Sequence, residues 1–265
     1  MSLRVTILGC GSSGGVPRVG MGWGACDPKN SKNRRRRCSI LVERLGPLGK
    51  TSVLIDTSPD LREQLLDADV MKLDAVFFTH EHADHTHGID DLRPLVIKMR
   101  RRIPIYADRM TSEMLLTRFS YCFQAPPGSQ YPPILSPHSL AAGRLVTLDG
   151  EGGPVTAMPF RMLHGDIDTL GFRFGDLAYA PDVSLVPEAS LATFYGLEVL
   201  IIDALRYTPH PTHFSVEEAL AFIESVRPKR AILTNLHTDL DYDELRRRLP
   251  AQVEPAYDGM RIEVS

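Results

Sequence analysis

The stretch Thr79-His80-Glu81-His82-Ala83-Asp84-His85 constrains this chain more than any other. It follows Leu73-Asp74-Ala75-Val76-Phe77-Phe78, a short apolar run with the length and composition of a buried strand. Three imidazoles and the Asp84 carboxylate therefore fall within six residues, just past a strand end. Borderline divalent ions such as zinc and manganese take this mixture of nitrogen and oxygen donors. One ion cannot readily use all four groups from so tight a turn. The natural arrangement is two ions, with His80 and His82 serving one and Asp84 and His85 the other. The bland alternative is a polar loop in which histidines happen to cluster. Of nine histidines in the chain, four stand between 80 and 87, and that concentration favours the metal.

The remaining composition sets bounds on what surrounds this motif. A chain of 265 residues is long enough for one large domain with a substantial core, and a single domain over 1–265 is expected. Hydrophobic residues make up 43% and charged residues 24%, as in an ordinary globular protein. A net charge of -3 argues against a protein that coats nucleic acid, so no stable nucleic-acid complex is expected. Cys10, Cys26, Cys38 and Cys122 form no C-x-x-C pair and read as reduced cytoplasmic thiols. Met1-Ser2-Leu3-Arg4 runs straight into a strand-like segment without a signal-peptide pattern. No apolar run approaches 18 residues, so no membrane span is expected, and a cytoplasmic setting follows.

Along the chain, Val5-Thr6-Ile7-Leu8 reads as a first strand. Gly9, Gly11, Gly14 and Gly15 then form a loop without a Walker ending or Rossmann spacing, so turn-making is its expected role. Arg34 to Arg37 form a basic run, expected as a solvated face, and Lys98 with Arg100 to Arg102 form a second. Cys38 to Glu43 and Ser52 to Asp56 read as a hairpin around Leu45 to Gly49. Ser58 followed by Pro59 predicts a capped helix start. Asp91 to Met99 and Met110 to Tyr121 are helical candidates, with Ile103 to Ala107 a strand between them. Five prolines between Gln124 and His138 predict a loop overhanging the cleft. Beyond Leu145 the pattern turns strand-rich. Val155 to Leu163 leads to His164, Leu170 to Phe174 and Leu177 to Ala180 form a hairpin whose second arm ends at Asp182, and Leu197 to Asp203 is strongly apolar. Ser215 with Glu218 predicts a capping box on a helix that Pro228 ends. Arg230 to Leu233 precedes His237, Asp241 with Glu244 caps a last helix, and Arg261 to Val264 closes the chain.

The six-residue motif resembles the signature of the metallo-β-lactamase superfamily, and the likeness runs over essentially the whole chain. Leu8 to Pro17, Arg36-Arg37-Cys38-Ser39, Asp56-Thr57-Ser58-Pro59-Asp60 and Thr212-His213-Phe214-Ser215 further resemble the PhnP-like branch of phosphodiesterases, relatives of RNase Z. The resemblance implies an α/β fold, a four-layer αββα sandwich with metal-type residues at strand ends, where α/β proteins place ligands. It implies that His164 joins His80 and His82 on one ion, that His237 joins Asp84 and His85 on the other, and that Asp182 bridges them. Asp56 would buttress the metal-binding histidines. The branch commonly holds a structural zinc on a cysteine cluster. Here Cys26 matches one position while Met21 and Trp23 stand at others, so no such zinc is expected.

Two divalent ions, zinc or manganese, roughly 3.5–4 Å apart would generate hydroxide near neutral pH and neutralise charge on the scissile group. A leaving group then needs a proton donor. His213, placed where phosphodiesterases of the superfamily carry a non-ligand histidine, is the candidate, with His210 its competitor. His213 and Asp84 are the expected catalytic residues. The expected reaction is hydrolysis of a small, nucleotide-like phosphodiester, cyclic diesters included. Acyl hydrolysis of the thioesterase or lactamase type is the alternative on the same site, and a non-hydrolytic relative is a third reading that the intact ligand set disfavours. Self-association as a homodimer is left open.

Overall fold

The computed structural model describes residues 3–264. Leu3–Gly9 (β1), Ser39–Gly46 (β2) and Gly49–Ile55 (β3) form an antiparallel meander, to which Ala75–Phe77 (β4), Ile103–Ala107 (β5) and Leu135–Ser139 (β6) add in parallel. Val146–Leu148 (β7), Val155–His164 (β8), Ile167–Phe174 (β9), Leu177–Ala180 (β10), Val199–Asp203 (β11), Arg230–Thr234 (β12) and Val253–Pro255 (β13) build a second sheet. Arg261–Val264 (β14) then returns to pair with β1, giving the first sheet the order β14-β1-β2-β3-β4-β5-β6. The second has the order β13-β12-β11-β10-β9-β8-β7, with β10 to β13 parallel.

Among the described residues eight α-helices join these strands: Leu61–Asp67 (α1), Ala83–Thr86 (α2), Arg93–Met99 (α3), Arg109–Arg118 (α4), Ser120–Phe123 (α5), Glu188–Leu191 (α6), Val216–Val226 (α7) and Tyr242–Arg248 (α8). The apolar residues sort into three layers. Val5, Val42, Ile55 and Phe77 of the first sheet meet Phe172, Phe174, Tyr179 and Ile201 of the second. Leu61, Leu95 and Leu115 of α1, α3 and α4 cover the outer face of the first sheet. Ala219, Ile223 and Leu245 of α7 and α8 cover that of the second. Strand β11 is buried at every position, as a parallel strand covered on both faces must be. The result is the expected four-layer αββα sandwich, two mixed sheets flanked by helices. No helix among the described residues is long and apolar enough to cross a membrane.

Local expectations held where capping chemistry was complete. Ser215 and Glu218 form the reciprocal capping box of α7, and Asp241 accepts from the amides of Asp243 and Glu244 at the start of α8. The start of α1 differs from expectation. The helix begins at Leu61 with Asp60 before it, while the Ser58 hydroxyl accepts from the Asp60 amide at 3.1 Å and donates to Gln64 Oε1 at 2.8 Å. Ser58 thus closes a turn before the helix rather than capping it. The proline-rich segment also differs, because Pro137 lies inside β6. That strand is a sheet edge, where a missing amide costs no ladder bond. The arginine run is not a uniform solvated face. Arg35 is buried and donates to Leu240 O at 2.7 Å and Asn33 Oδ1 at 3.2 Å, while Arg36 and Arg37 pair with Asp67 and Asp60.

Candidate metal centre

The metal-type residues stand at the ends of strands from both sheets. Asp56 follows β3, Thr79 and His80 follow β4, and His82, Asp84 and His85 lie in the turn that becomes α2. From the second sheet, His164 ends β8, Asp182 follows β10, Asp203 ends β11 and His237 follows β12. A backbone bond from Leu170 N to Thr79 O, 2.9 Å, ties the sheets together beside His80. Two residues here adopt left-handed backbone despite their side chains, Asp56 at φ 64° and Asn235 at φ 62°, a strain that such sites tolerate when their surroundings hold it.

Hydrogen-bond partners assign the imidazole tautomers. His80 Nδ1 donates to Thr79 Oγ1 at 2.9 Å, and that hydroxyl donates on to Asp56 Oδ2 at 2.8 Å. His85 Nδ1 donates to Asp56 Oδ2 at 2.7 Å, His164 Nδ1 to the Thr212 carbonyl at 2.5 Å, and His237 Nδ1 to Asp239 Oδ1 at 2.8 Å. In each ring Nδ1 is anchored, which leaves the Nε2 lone pair as the ligating atom. Burial pushes His80 well below the ordinary imidazole range, so its ring is neutral and its lone pair available.

Among the described residues three groups come close enough to hold an ion: His80 with His82 and His164; His80 with His85 and Asp182; and His164 with Asp182 and His213. Asp182 is 3% exposed and its Oδ1 faces His85 Nε2 at 3.2 Å, a buried carboxylate that calls for positive charge. Burial opposes charge on His85, yet Asp182, Asp84 and Asp56 outweigh it and hold the ring well above its usual pKa. Three carboxylates around one buried imidazole form a pocket that demands positive charge. The donor set therefore fits borderline divalent ions.

Asp84 lies 3.4 Å from His85 Nε2 and lines the same cleft of about 300 Å³ as His82, His164, Asp182, His213 and His237. His237 falls in none of the three groups. Its Nε2 instead accepts from Arg18 Nη1 at 2.6 Å. His213 donates from Nδ1 to Asp203 Oδ2 at 2.7 Å. Burial disfavours the charged ring, but Asp203, with Asp182 and Asp84 behind it, raises His213 to about 9. Its competitor His210 spends its Nδ1 on the Thr212 amide and hydroxyl, at 3.3 and 3.2 Å. The 124–138 segment, expected over the cleft, contributes none of the residues lining it. Cys26 gives its thiol proton to the Thr238 carbonyl at 3.4 Å.

Sequence reasoning passed over Asp203, Asp239, Thr79 and Arg18. Asp203 carried a usable signal: a carboxylate closing the apolar run Val199 to Ile202 is buried with its strand and must find a partner. Asp239 carried none, since an aspartate two residues after a histidine is common in turns.

Residues 51–235 match the family model of the beta-lactamase superfamily domain. The chain is 36% identical to a diphosphatase from the PhnP family, with a TM-score of 0.89 over 100% of this chain and 98% of that one. Zn(2+)-bound PqqB from Methylobacterium extorquens, at 19% identity and a TM-score of 0.76 over 98% of this chain and 99% of that one, shares the fold. So does the short form of human tRNase Z, at 19% and 0.64 over 98% of both chains. An octanoyltransferase of Porphyromonas gingivalis is 32% identical over 263 residues, 97% of this chain and 51% of that protein, so the chain spans about half the length of that curated relative. The fold generally binds divalent metal ions, and the His and Asp groups here could hold them. The chain belongs to the beta-lactamase superfamily and, within it, to the PhnP family of hydrolases.

Proposed function

We propose that this protein, acting as one domain, hydrolyses a small nucleotide-like phosphodiester, with His213 as general acid. The observation that carries this reading is the Asp203–His213 pair. A fully buried carboxylate stands 2.7 Å behind an imidazole that opens onto the same cleft as the metal-type cluster. His80, His82 and His164 would hold one divalent ion, Asp84, His85 and His237 a second, with Asp182 between them. Such ions supply a nucleophile from water near neutral pH and neutralise charge developing on the phosphoryl oxygens. Asp203 fixes the His213 tautomer and keeps a proton on Nε2, the nitrogen free to face a leaving alkoxide. An alkoxide is a poor leaving group, so this proton matters for a phosphodiester more than for a thioester, whose thiolate leaves readily. A relative at 36% identity named for diphosphatase activity also supports phosphoryl over acyl chemistry.

His213→Ala should cost roughly 10²–10⁴-fold on an alkyl diester and less on bis(p-nitrophenyl) phosphate, whose leaving group needs little protonation, with metal content unchanged. Rates on that diester, a 2′,3′-cyclic nucleotide, a thioester and a β-lactam decide the class. Preference for either acyl substrate would sink the phosphodiesterase reading. Elemental analysis of protein purified without chelator should give about two ions per chain, and Asp182→Ala should lose metal and activity together. Full metal content in that variant would remove Asp182 from the ligand set.

A further inference from the structure

On the outer face of the first sheet, α1 covers Leu8 and Leu41. Beside it opens a cavity of about 310 Å³, walled by Thr6 of β1, Gln64 and Asp67 of α1, the arginine segment and Arg261 of β14. It shares no lining residue with the metal cleft. Three guanidiniums border it, and an ion pair accounts for one of them. Arg36 pairs with Asp67, whose side chain is largely exposed, and such pairs are weak. The side chains of Arg34 and Arg261 have no hydrogen-bond or ion-pair partner among the described residues. Asp258 borders the cavity as well, but its oxygens accept from the amides of Cys10 and Arg36, and burial lifts its carboxyl to about 7, so near neutral pH it is only partly ionised. The chain carries a net charge of -3, so the cavity is no part of a uniformly basic surface. Thr6 adds an independent observation. It stands opposite Arg261 in the pairing of β1 with β14, is 5% exposed, and its hydroxyl makes no hydrogen bond to any described residue. A buried hydroxyl that opens on a cavity beside unpaired cations is a donor without an acceptor.

We propose that this cavity, apart from the metal centre, binds a small phosphate-bearing dianion, free phosphate or a phosphate monoester, held between Arg34 and Arg261 with Thr6 donating to it. Two unpaired guanidiniums call for two negative charges. A phosphate group brings both on one tetrahedral centre and keeps an oxygen for the hydroxyl, and its oxygens match the guanidinium fork in geometry as well as charge. A monocarboxylate would leave one arginine unpaired. The volume lies at the lower end of the range for small-molecule sites, so an ester with a small organic remainder fits. The inference is independent of the reaction proposed for the metal cleft.

Arginine modification, read residue by residue on the intact metal-loaded chain, tests the site. Phenylglyoxal labels accessible guanidiniums, and peptide masses report the rate at each. Inorganic phosphate, and separately glycerol 3-phosphate, should slow labelling of Arg34 and Arg261 at least about fivefold, while chloride at matched ionic strength leaves both rates within about twofold. Arg109, which borders neither this cavity nor the metal cleft, is the internal control and should keep its rate. Arg261→Gln, a change at an exposed position, should abolish the protection of Arg34, because both guanidiniums hold one ion. Thr6→Val keeps the side-chain shape and should raise the phosphate concentration for half protection about fivefold, in a variant with the circular dichroism of wild type. Protection by both probes supports the site, and protection by one alone supports it and narrows the ligand to that one. Absence of protection, equal protection by chloride, protection of Arg34 that survives Arg261→Gln, or an unchanged midpoint in Thr6→Val overturns it. Malonate protecting better than either phosphate probe overturns the ligand class.

Discussion

His213 and Asp203 show how a side chain acquires its role from what stands behind it. With its pKa near 9, His213 stays protonated through neutral pH, so a step that needs it as an acid should lose rate as pH rises through about 9. Asp203→Asn removes the charge that sustains the proton, so the descending limb of the kcat/KM profile should move toward neutral pH, with metal content unchanged. A limb that stays in place would release His213 from the acid role. Much at this scale was legible in the sequence. The cluster from His80 to His85 stood out by residue type and by its position after an apolar run, whereas His164, Asp182 and His237 were reached only through the family likeness. Apart from Asp56, expected from the family likeness, the groups that orient them did not stand out, because Thr79, Thr212 and Asp239 meet their imidazoles through turns whose course only the folded chain reveals. Arg35 was hidden for another reason. Nothing in four successive arginines says which one turns inward to the carbonyls of His237 and Leu240, at 3.3 and 2.7 Å.

Among the elements, the turn before β14 has a job out of proportion to its length. Asp258 accepts from the amide of Cys10 at 3.2 Å and of Arg36 at 2.8 Å, joining the end of β1 to the arginine segment. Burial lifts its carboxyl to about 7, against the two amides, the Cys10 thiol and the Arg36 charge that favour ionisation. A carboxyl that titrates higher folded than unfolded binds more protons in the native state, so its contribution is whole below pH 4 and is lost as pH rises to about 7. Asp258→Asn should flatten the stability profile over that window, measured by urea unfolding at a series of pH values, and an unchanged slope would mean that the group titrates normally. Elements were read well where the signal was local. The box at Ser215 is complete within four residues, whereas the strand at Leu135–Ser139 depends on a sheet edge that no window of sequence contains.

For the whole molecule, stability concentrates in the layer between the sheets. Phe172 is fully buried there, its ring centroid 5.4 Å from that of Phe77 across the interface. Phe172→Ala should cost about 3–5 kcal/mol, since the two sheets cannot close over the lost ring without shifting their strands. A loss below about 1 kcal/mol would mean that the layer relaxes freely. The four-layer architecture was legible from strand and helix order together with the family likeness, while the return of β14 to the first sheet was not, because pairing between chain ends leaves no local trace.

The candidate ligands divide between two walls of the sandwich, His80, His82, Asp84 and His85 on one and His164, Asp182 and His237 on the other. An ion held by both sets is a rivet through a seam. Pulled at the two sheets, the loaded protein should yield at higher force than the stripped one, and two fragments cut between Gln124 and Ile134 should find each other more tightly when the ion is supplied.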